Sequence, residues 1–244
     1  LRELLLLIPQ YDSIATAGEC RFDLAEAERA IDFIERYLKH VEGAIAGKPF
    51  LLERWQKSII ANLFGWKRQH PRHGWIRRYR EVLVMIARKN GKSPFASAIA
   101  LFMLFCDPMP GKQCYLAAAD REQASIVYRH CKGMVKQEPK LDKRCRIYGG
   151  TANAYQSRTI VREEEGSFLR VPTQGGCCHS RRVPKALLSQ GSRFVPRCVL
   201  VCRVDFVMRY FPQTTYSEEV ARFLFVLKKR GGMLQRQFHS KDER

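Results

Sequence analysis

The chain has 244 residues and an apolar fraction of 45%, enough for one large or two small domains with a real core. Its 43 Lys and Arg outnumber its 24 Asp and Glu, which gives a formal net charge of +19. This excess indicates a polyanionic partner, most simply nucleic acid, although it is spread along the chain as on a generally basic surface. No apolar run is long enough for a membrane span or a signal peptide, and the nine scattered cysteines fit reduced cytosolic thiols better than a disulfide framework.

A helical segment is predicted over residues 1–48. Asp23 with Glu26 three residues later resembles a capping box, with Asp in place of Ser or Thr. Apolar residues then recur at helical spacing as far as Ile45, and Gly47 and Pro49 end the pattern. We therefore expect one long helix ahead of the main domain. Because the chain begins at Leu1 and not at Met, we also expect that the true start is missing.

A second apolar stripe and a basic run follow. In Pro49–Trp66 the apolar residues lie four apart, so Trp55 is expected to pack in the core while Gln56 lies off the stripe. The next stretch, 67–80, is predicted to be a loop with six Lys or Arg interleaved with His, Trp and Tyr, including Arg77 and Arg78. Basic and aromatic residues together suit nucleic acid, but a solvated connection fits the composition equally well.

The rest of the sequence is organised around residues 81–105. Val82–Ala87 is an apolar run typical of a buried strand, and Pro94–Phe105 is an apolar helical stretch. Gly91, Lys92 and Ser93 lie between them. Strand, glycine loop, Lys-Ser and helix form the arrangement that binds a nucleotide phosphate, although the first glycine of the usual P-loop would stand at Ile86. The alternative is an ordinary strand–helix turn with an exposed lysine.

The following elements continue the alternation of strands and helices. We predict a strand over Gln113–Ala119, a helix over Arg121–Gln137, and short strands at Cys145–Tyr148 and Thr159–Arg162, with a hairpin turn at residues 163–165. This order indicates an α/β fold, a parallel sheet flanked by helices in the style of P-loop NTPases.

Residues from Pro49 to about Gln174 resemble the large subunit of tailed-phage terminases, the ATP-driven motors that package viral DNA. The resemblance rests on Pro49–Gln56, on Phe64–Trp66, on Arg77–Glu81, on the sequence ARKNGKS at 87–93 and on CYLAAADREQA at 114–124. In this family the P-loop lacks the first glycine and begins with an arginine. The resemblance covers over half of the chain and is more specific than Gly-Lys-Ser alone.

The resemblance implies ATP and Mg²⁺ as cofactors and gives roles to six residues. Lys92 would contact the β- and γ-phosphates, Ser93 would bind Mg²⁺, and Arg88 would stabilise charge on the transferred phosphoryl group, a role with independent physical grounds. Gln56 would contact adenine. Backbone N–H groups would come from residues 90–92, which are Asn90, Gly91 and Lys92.

The chain departs from the family after about Gln174. A packaging ATPase needs an apolar strand that ends in an acidic pair, for Mg²⁺ and for water activation. The best candidate, Val199–Asp205, has one acid and is interrupted by Arg203, so we attribute it to chance. The family's nuclease domain has no room here. Residues 176–244 carry 14 Lys or Arg against five Asp or Glu, and Cys177, Cys178, His179, Cys198 and Cys202 lack the usual zinc spacing.

We therefore expect a helical segment at 1–48, a partial P-loop ATPase core at 49–175, and an atypical basic tail at 176–244 that is translated out of frame. The function expected from the resemblance is the ATPase motor of a terminase large subunit, incomplete here, which packages double-stranded DNA in the host cytoplasm. Its partners would be the small subunit, the portal protein and further copies of itself. The alternatives are an inactive basic nucleic-acid binder of P-loop fold, or another P-loop ATPase such as a helicase.

Overall fold

The computed structural model describes residues 2–8, 11–71, 73–79, 81–85, 90–107, 113–117, 121–149, 158–171, 198–202, 206–210 and 224–227. The helices in these ranges are α1 Arg2–Leu5, α2 Leu24–Tyr37, α3 Arg54–Gly65, α4 Lys92–Cys106, α5 Arg121–Lys136 and α6 Pro139–Asp142. The strands are β1 Arg21–Phe22, β2 Trp66–His70, β3 Gly74–Arg77, β4 Glu81–Met85, β5 Gln113–Ala117, β6 Cys145–Tyr148, β7 Arg158–Arg162, β8 Ser167–Val171, β9 Cys198–Cys202, β10 Phe206–Tyr210 and β11 Leu224–Leu227. None of the described helices is both long and apolar enough to cross a membrane.

The strands form two sheets. The larger sheet has eight strands in the order β11-β4-β10-β9-β5-β8-β7-β6, and the smaller has the order β1-β2-β3. In the larger sheet β4 pairs with β10 and β5 with β8 in parallel, whereas the other pairs are antiparallel. The fold is therefore α/β, as predicted, but the sheet is mixed where a parallel one was expected. One reason is local, since the turn at 163–166 joins β7 and β8 as an antiparallel hairpin.

Helix α4 is the most deeply buried helix described. All of its side chains from Phe95 to Phe105 are buried, so it is apolar on every side, as a helix enclosed by neighbours must be. It packs against α2 and α5. Phe102, for example, meets Phe33 of α2 and Phe64 of α3, with ring centroids 5.7 Å and 4.6 Å apart. The core therefore holds the start of α4 in a fixed place relative to α3.

Helix α2 is shorter than the spacing of apolar residues predicts. Asp23 caps it as expected, since its carboxylate accepts a hydrogen bond from the Glu26 N–H at 3.2 Å. The helix nevertheless ends at Tyr37, and residues 39–49 form a loop closed by a bridge between Lys39 and Pro49. Val41 was predicted to lie on the apolar face of this helix. It instead packs against Gly133 of α5, so closely that a Cβ on Gly133 would overlap its side chain. A contact with α5, and not helical periodicity, explains this apolar residue.

The basic run was expected to be a loop, but residues 67–70 and 74–77 of it lie in strands. It forms the antiparallel hairpin of β2 and β3, in which Lys67 pairs with Arg77 and His70 with Gly74. The hairpin also pairs with β1, where Arg21 lies opposite Lys67. The expected alternatives, a solvated connection or a nucleic-acid contact, both assumed irregular backbone here.

Three of the described strands, β9 to β11, come from residues 198–227. β10 lies next to β4, and β9 lies between β10 and β5. The residues Cys177, Cys178 and His179, considered above as metal ligands, lie outside the described residues. In the part of the chain that the structure describes, no three His, Cys, Asp or Glu residues gather to hold a metal ion.

Candidate functional site

The site begins at Gly91, the residue that caps the amino end of α4. Gly91 has φ 65° and ψ 22°, in the left-handed region that glycine adopts without strain. A Cβ built there would meet no atom within 4 Å, so the space beside this residue is open. The glycine is therefore required by the backbone conformation and not by crowding.

The first turn of α4 carries the predicted lysine and serine. Lys92 and Ser93 are its first two residues, and Pro94 is the third, where its missing N–H costs nothing. The helical hydrogen bonds begin with the Phe95 N–H, which donates to the Gly91 carbonyl at 3.0 Å. The N–H groups of Lys92 and Ser93 precede this ladder and point toward the helix start, where the helix dipole favours an anion.

Ser97 fixes this first turn against the neighbouring helix. Its buried hydroxyl lies 2.8 Å from the Ser93 carbonyl and 3.0 Å from the Val127 carbonyl of α5. The same hydroxyl therefore joins the start of α4 to the middle of α5. Rigid support of this kind matters because a binding group must be held in position before its ligand arrives.

Gln56 lies in the first turn of α3 and is buried. Its side-chain oxygen accepts a hydrogen bond from the Glu53 N–H at 2.9 Å, so the amide oxygen is already used to cap the helix. The hydrogen bonds described for Gln56 do not include its NH₂ group. The next residue back, Trp55, packs edge-on against Phe95 with ring centroids 5.5 Å apart. The structure thus brings the start of α3 beside the start of α4.

The other predicted site residues are less fully placed. Asn90 is exposed just before Gly91, while Lys92 and Ser93 are half-buried. Among the described residues, no side chain bonds to the Ser93 hydroxyl; Ser93 takes part only through its carbonyl. Arg88 lies outside the described residues.

Arg77 and Arg78, left open between DNA and solvent, are both structural. Arg77 forms an ion pair with Asp107 at 3.0 Å, with the two side chains only 14% and 8% exposed. Arg78 is 5% exposed and donates to the carbonyls of Ser13 and Thr16, the first at 2.9 Å. Two of the basic residues in the run 67–80 therefore tie distant segments together and face neither ligand nor solvent.

Tyr79 closes the same buried cluster. The Tyr79 hydroxyl lies 2.8 Å from the Tyr11 hydroxyl. The guanidinium of Arg78 lies 4.9 Å from the centre of the Tyr79 ring. Burial raises the pKa of Tyr79, and the hydrogen bond to Tyr11 adds to the rise. The phenol is therefore a neutral structural group and takes no part in acid–base chemistry.

The sheet order identifies where a metal-binding carboxylate would be needed. In P-loop NTPases a carboxylate on a strand near the phosphate loop binds the metal ion. β10 is the parallel neighbour of β4 and ends at Tyr210, beside Val84. In the sequence, residues 211–217 contain no Asp or Glu.

β9 does not supply the carboxylate either. It runs antiparallel to β5, so its last residue, Cys202, pairs with Cys114 at the amino end of β5. The carboxyl end of β9 therefore lies at the edge of the sheet away from the start of α4. Asp205 itself lies outside the described residues. The direction of β9 agrees with the sequence-based judgement that Val199–Asp205 is not the missing acidic strand.

Strand, left-handed glycine and buried helix define an α/β protein whose helix start suits an anion. Residues 54–151 match the sequence model of the terminase large subunit ATPase domain. The chain is 32% identical over 121 residues to the terminase large subunit of Enterobacteria phage HK97, a match that covers 49% of this chain and 22% of that protein. These two matches support a terminase large subunit ATPase region at residues 54–151, as the motifs predicted.

The crystal structure of the HK97 bacteriophage large terminase aligns with a TM-score of 0.48 and 27% sequence identity, over 62% of this chain and 28% of that chain. The chain spans about a fifth to a quarter of the length of these relatives.

Two features of the site were missed from the sequence. Ser97 has no local signal, because its partner Val127 lies 30 residues away on another helix. The contact between Trp55 and Phe95 was expected only as general core packing, and its position beside the helix start depends on how α3 and α4 meet.

Proposed function

We propose that region 54–151 has the P-loop fold and binds ATP with Mg²⁺ at the start of α4. The observation that carries this proposal is Gly91 in a left-handed conformation between β4 and a helix that begins Lys92-Ser93. Glycine loops of this geometry present backbone N–H groups to phosphate oxygens. The match to the terminase ATPase domain is the second, independent support.

The residues present fit the nucleotide and its metal. Open space beside Gly91 leaves room for a phosphate close to the backbone. The N–H groups of Lys92 and Ser93 lie ahead of the helical ladder, and the Lys92 ammonium would neutralise the outer phosphate oxygens. The Ser93 hydroxyl is an oxygen ligand of the kind that Mg²⁺ prefers. The bound metal would spread the charge of the β- and γ-phosphates.

Gln56 and Arg88 complete the proposed site. Because the Gln56 oxygen accepts from Glu53, its NH₂ group is the part that can donate to a ring nitrogen of adenine. The contact between Trp55 and Phe95 would keep this donor at a fixed distance from the phosphate loop. We assign Arg88 to the transferred phosphoryl group, together with Lys92, as the two residues that act in catalysis.

For the whole protein we propose the role that the family implies. ATP hydrolysis would drive double-stranded DNA into a capsid, in the host cytoplasm, with the small subunit and the portal protein as partners and several copies acting together. The basic composition agrees with a DNA substrate, since the chain carries a net charge of +19. The domain boundaries at 48 and 175 and the out-of-frame origin of residues 176–244 also remain proposals.

The test compares Lys92→Ala with Lys48→Ala by fluorescence anisotropy of a labelled ATP analogue with Mg²⁺. Both variants remove one lysine charge, but Lys48 lies in the loop 39–49, far along the chain from the helix start. Removing a charged hydrogen-bond partner should weaken binding roughly tenfold or more in Lys92→Ala, and Lys48→Ala should bind normally. Equal affinities for the two variants would contradict the proposal.

The second candidate is a basic nucleic-acid binder that keeps the fold without the chemistry. The absence of Asp and Glu from residues 211–217, after the parallel neighbour of β4, favours it. In this case the parent chain would bind nucleotide negligibly. Lys92→Ala would then bind DNA with the same affinity as the parent chain. A helicase, the third possibility, would separate the strands of a short duplex when ATP is supplied.

A further inference from the structure

The hairpin of β2 and β3, Trp66–Arg77, forms a two-stranded ribbon whose far end is open to solvent. At this end Gln69, His73 and Trp75 are exposed, and the His70 and His73 rings lie 4.8 Å apart across the turn. The base of the ribbon is held by the body of the protein. Trp66 is buried there, and Arg77 is paired with Asp107. The ribbon is therefore a rigidly rooted element with a polar, accessible tip.

The pairing of the strands assigns its cationic side chains to two faces. Arg21 of β1 lies opposite Lys67, and its guanidinium stands 4.0 Å from the centre of the Trp75 ring, so these residues share one face. Arg68 is one residue on from Lys67 and therefore projects from the other face. Arg21, on the adjoining β1, and Arg68, on the ribbon itself, therefore lie on opposite faces of the small sheet.

These two arginines differ from the other basic residues nearby in their partners. Lys67 is 3.6 Å from Glu26, which also holds Arg29 at 2.9 Å. Within the described part of the chain, neither Arg21 nor Arg68 forms an ion pair. Because no described carboxylate is paired with either guanidinium, both are available to bind an external anion.

The shape and chemistry favour a nucleic-acid backbone as this anion. The major groove of B-DNA, about 12 Å wide, admits a two-stranded β-ribbon and is bordered by a phosphate row on each side. A two-stranded ribbon that lies in such a groove brings its cationic side chains within reach of the bordering phosphates, and a guanidinium binds phosphate through paired hydrogen bonds. Stacking on Trp75 reduces the freedom that Arg21 loses when it binds.

We propose that the β2–β3 ribbon, through Arg68, and the adjoining β1, through Arg21, contact the phosphate backbone of double-stranded DNA. The choice of duplex DNA rests on the function proposed above, whereas the contact itself rests on the geometry of the ribbon. The site is separate from the start of α4. Loss of DNA binding at the ribbon and loss of nucleotide binding at Lys92 can therefore be measured independently.

The experiment measures the affinity of the full chain for a labelled duplex of mixed sequence at several salt concentrations. The double variant Arg21→Ala/Arg68→Ala is compared with Arg129→Ala/Arg144→Ala, which removes two exposed arginines from α5 and from the turn before β6; Arg21 is likewise exposed and Arg68 is half-buried. Each lost phosphate contact should reduce the slope of log affinity against log salt by about 0.9, so the ribbon variant should lose about two units of slope. The control variant should keep the parent slope.

Three results would overturn the proposal. The first is no change of slope in the ribbon variant, and the second is an equal change in both variants. The third is that the parent chain binds single-stranded DNA as tightly as duplex DNA and the ribbon variant loses both to the same extent. The second result would show a diffuse charge effect. Thermal unfolding of each variant identifies loss through misfolding, and Arg21→Lys/Arg68→Lys, which keeps both charges, should restore most of the slope. Nucleotide binding should stay at the parent level in the ribbon variant, so a failure of the ATP proposal would be seen separately.

Discussion

Arg78 gives the sharpest test of the distinction between basic residues that hold the fold and those that face a ligand. Its guanidinium donates to the Ser13 carbonyl at 2.9 Å, to the Thr16 carbonyl, and to the Thr16 hydroxyl at 3.0 Å. It also lies over the Trp66 and Tyr79 rings, at 5.2 Å and 4.9 Å from their centres. The side chain is 5% exposed, so solvent replaces few of these contacts.

Replacing Arg78 by Met keeps most of the stem but leaves two carbonyls without their donor. Hydrogen bonds to a charged group are worth about 1.5–3 kcal/mol each, and they do not add fully. We expect the free energy of unfolding to fall by about 3–5 kcal/mol, because at least two such bonds are lost and their carbonyls stay buried without a donor. Arg78→Lys keeps the charge but not the planar fork, so it should lose about half as much.

The assay is equilibrium unfolding in urea, with Arg29→Met as the matched control. Arg29 forms an exposed pair with Glu26 on the same helix, at a spacing of three residues, and such pairs contribute about 0.3–0.5 kcal/mol. The reasoning fails if Arg78→Met unfolds at the same urea concentration as Arg29→Met. It also fails if Arg78→Met lowers DNA affinity without a change in stability, since the side chain would then face the ligand.

Two further predictions concern the helix start and a buried histidine. Gly91→Ala places a Cβ on a residue in the left-handed region, at φ 65°, so it should lower the free energy of unfolding by about 1–2 kcal/mol and also weaken nucleotide binding. Gly91→Asn should be tolerated better. Equal unfolding midpoints for the two variants would contradict this. Burial lowers the pKa of His130 below 6.5, against a smaller opposing effect of Glu42. Protonation of His130 is therefore less favourable in the folded than in the unfolded chain, so its contribution to stability should be full above about pH 6.5 and be lost as the pH falls below that value. The urea midpoints at pH 7.5 and pH 5.5 should therefore differ less in His130→Gln than in the parent.

The elements around residues 81–106 could be predicted because their signals are local. An apolar run, a glycine and a helix start lie next to one another, and the structure places β4 at Glu81–Met85 and α4 at Lys92–Cys106. The prediction of a strand and helix on either side of Gly91 was confirmed. The same holds for Cys145–Tyr148, whose predicted and observed bounds agree.

The sequence failed where distant contacts decide the structure. Val41 matched the helical period of α2, but it packs against Gly133, and the helix ends four residues earlier. The charge of Arg77 suggested an external partner, whereas its partner Asp107 lies 30 residues away in the chain. Neither contact leaves a pattern in a local window, so composition and spacing could not have identified them.

The last inference concerns the difference between binding ATP and hydrolysing it. The proposed binding would use groups that adjacent residues supply at the start of α4, whereas hydrolysis would also need a carboxylate from a neighbouring strand. β10 occupies the place beside β4, and residues 211–217 after it contain no acid; Glu218 and Glu219 come next in the sequence, outside the described residues. We therefore expect the chain to bind ATP with little release of phosphate, measured as turnover at saturating ATP. Multiple turnovers that Glu218→Gln/Glu219→Gln abolishes would refute this and would identify those residues as the carboxylate source.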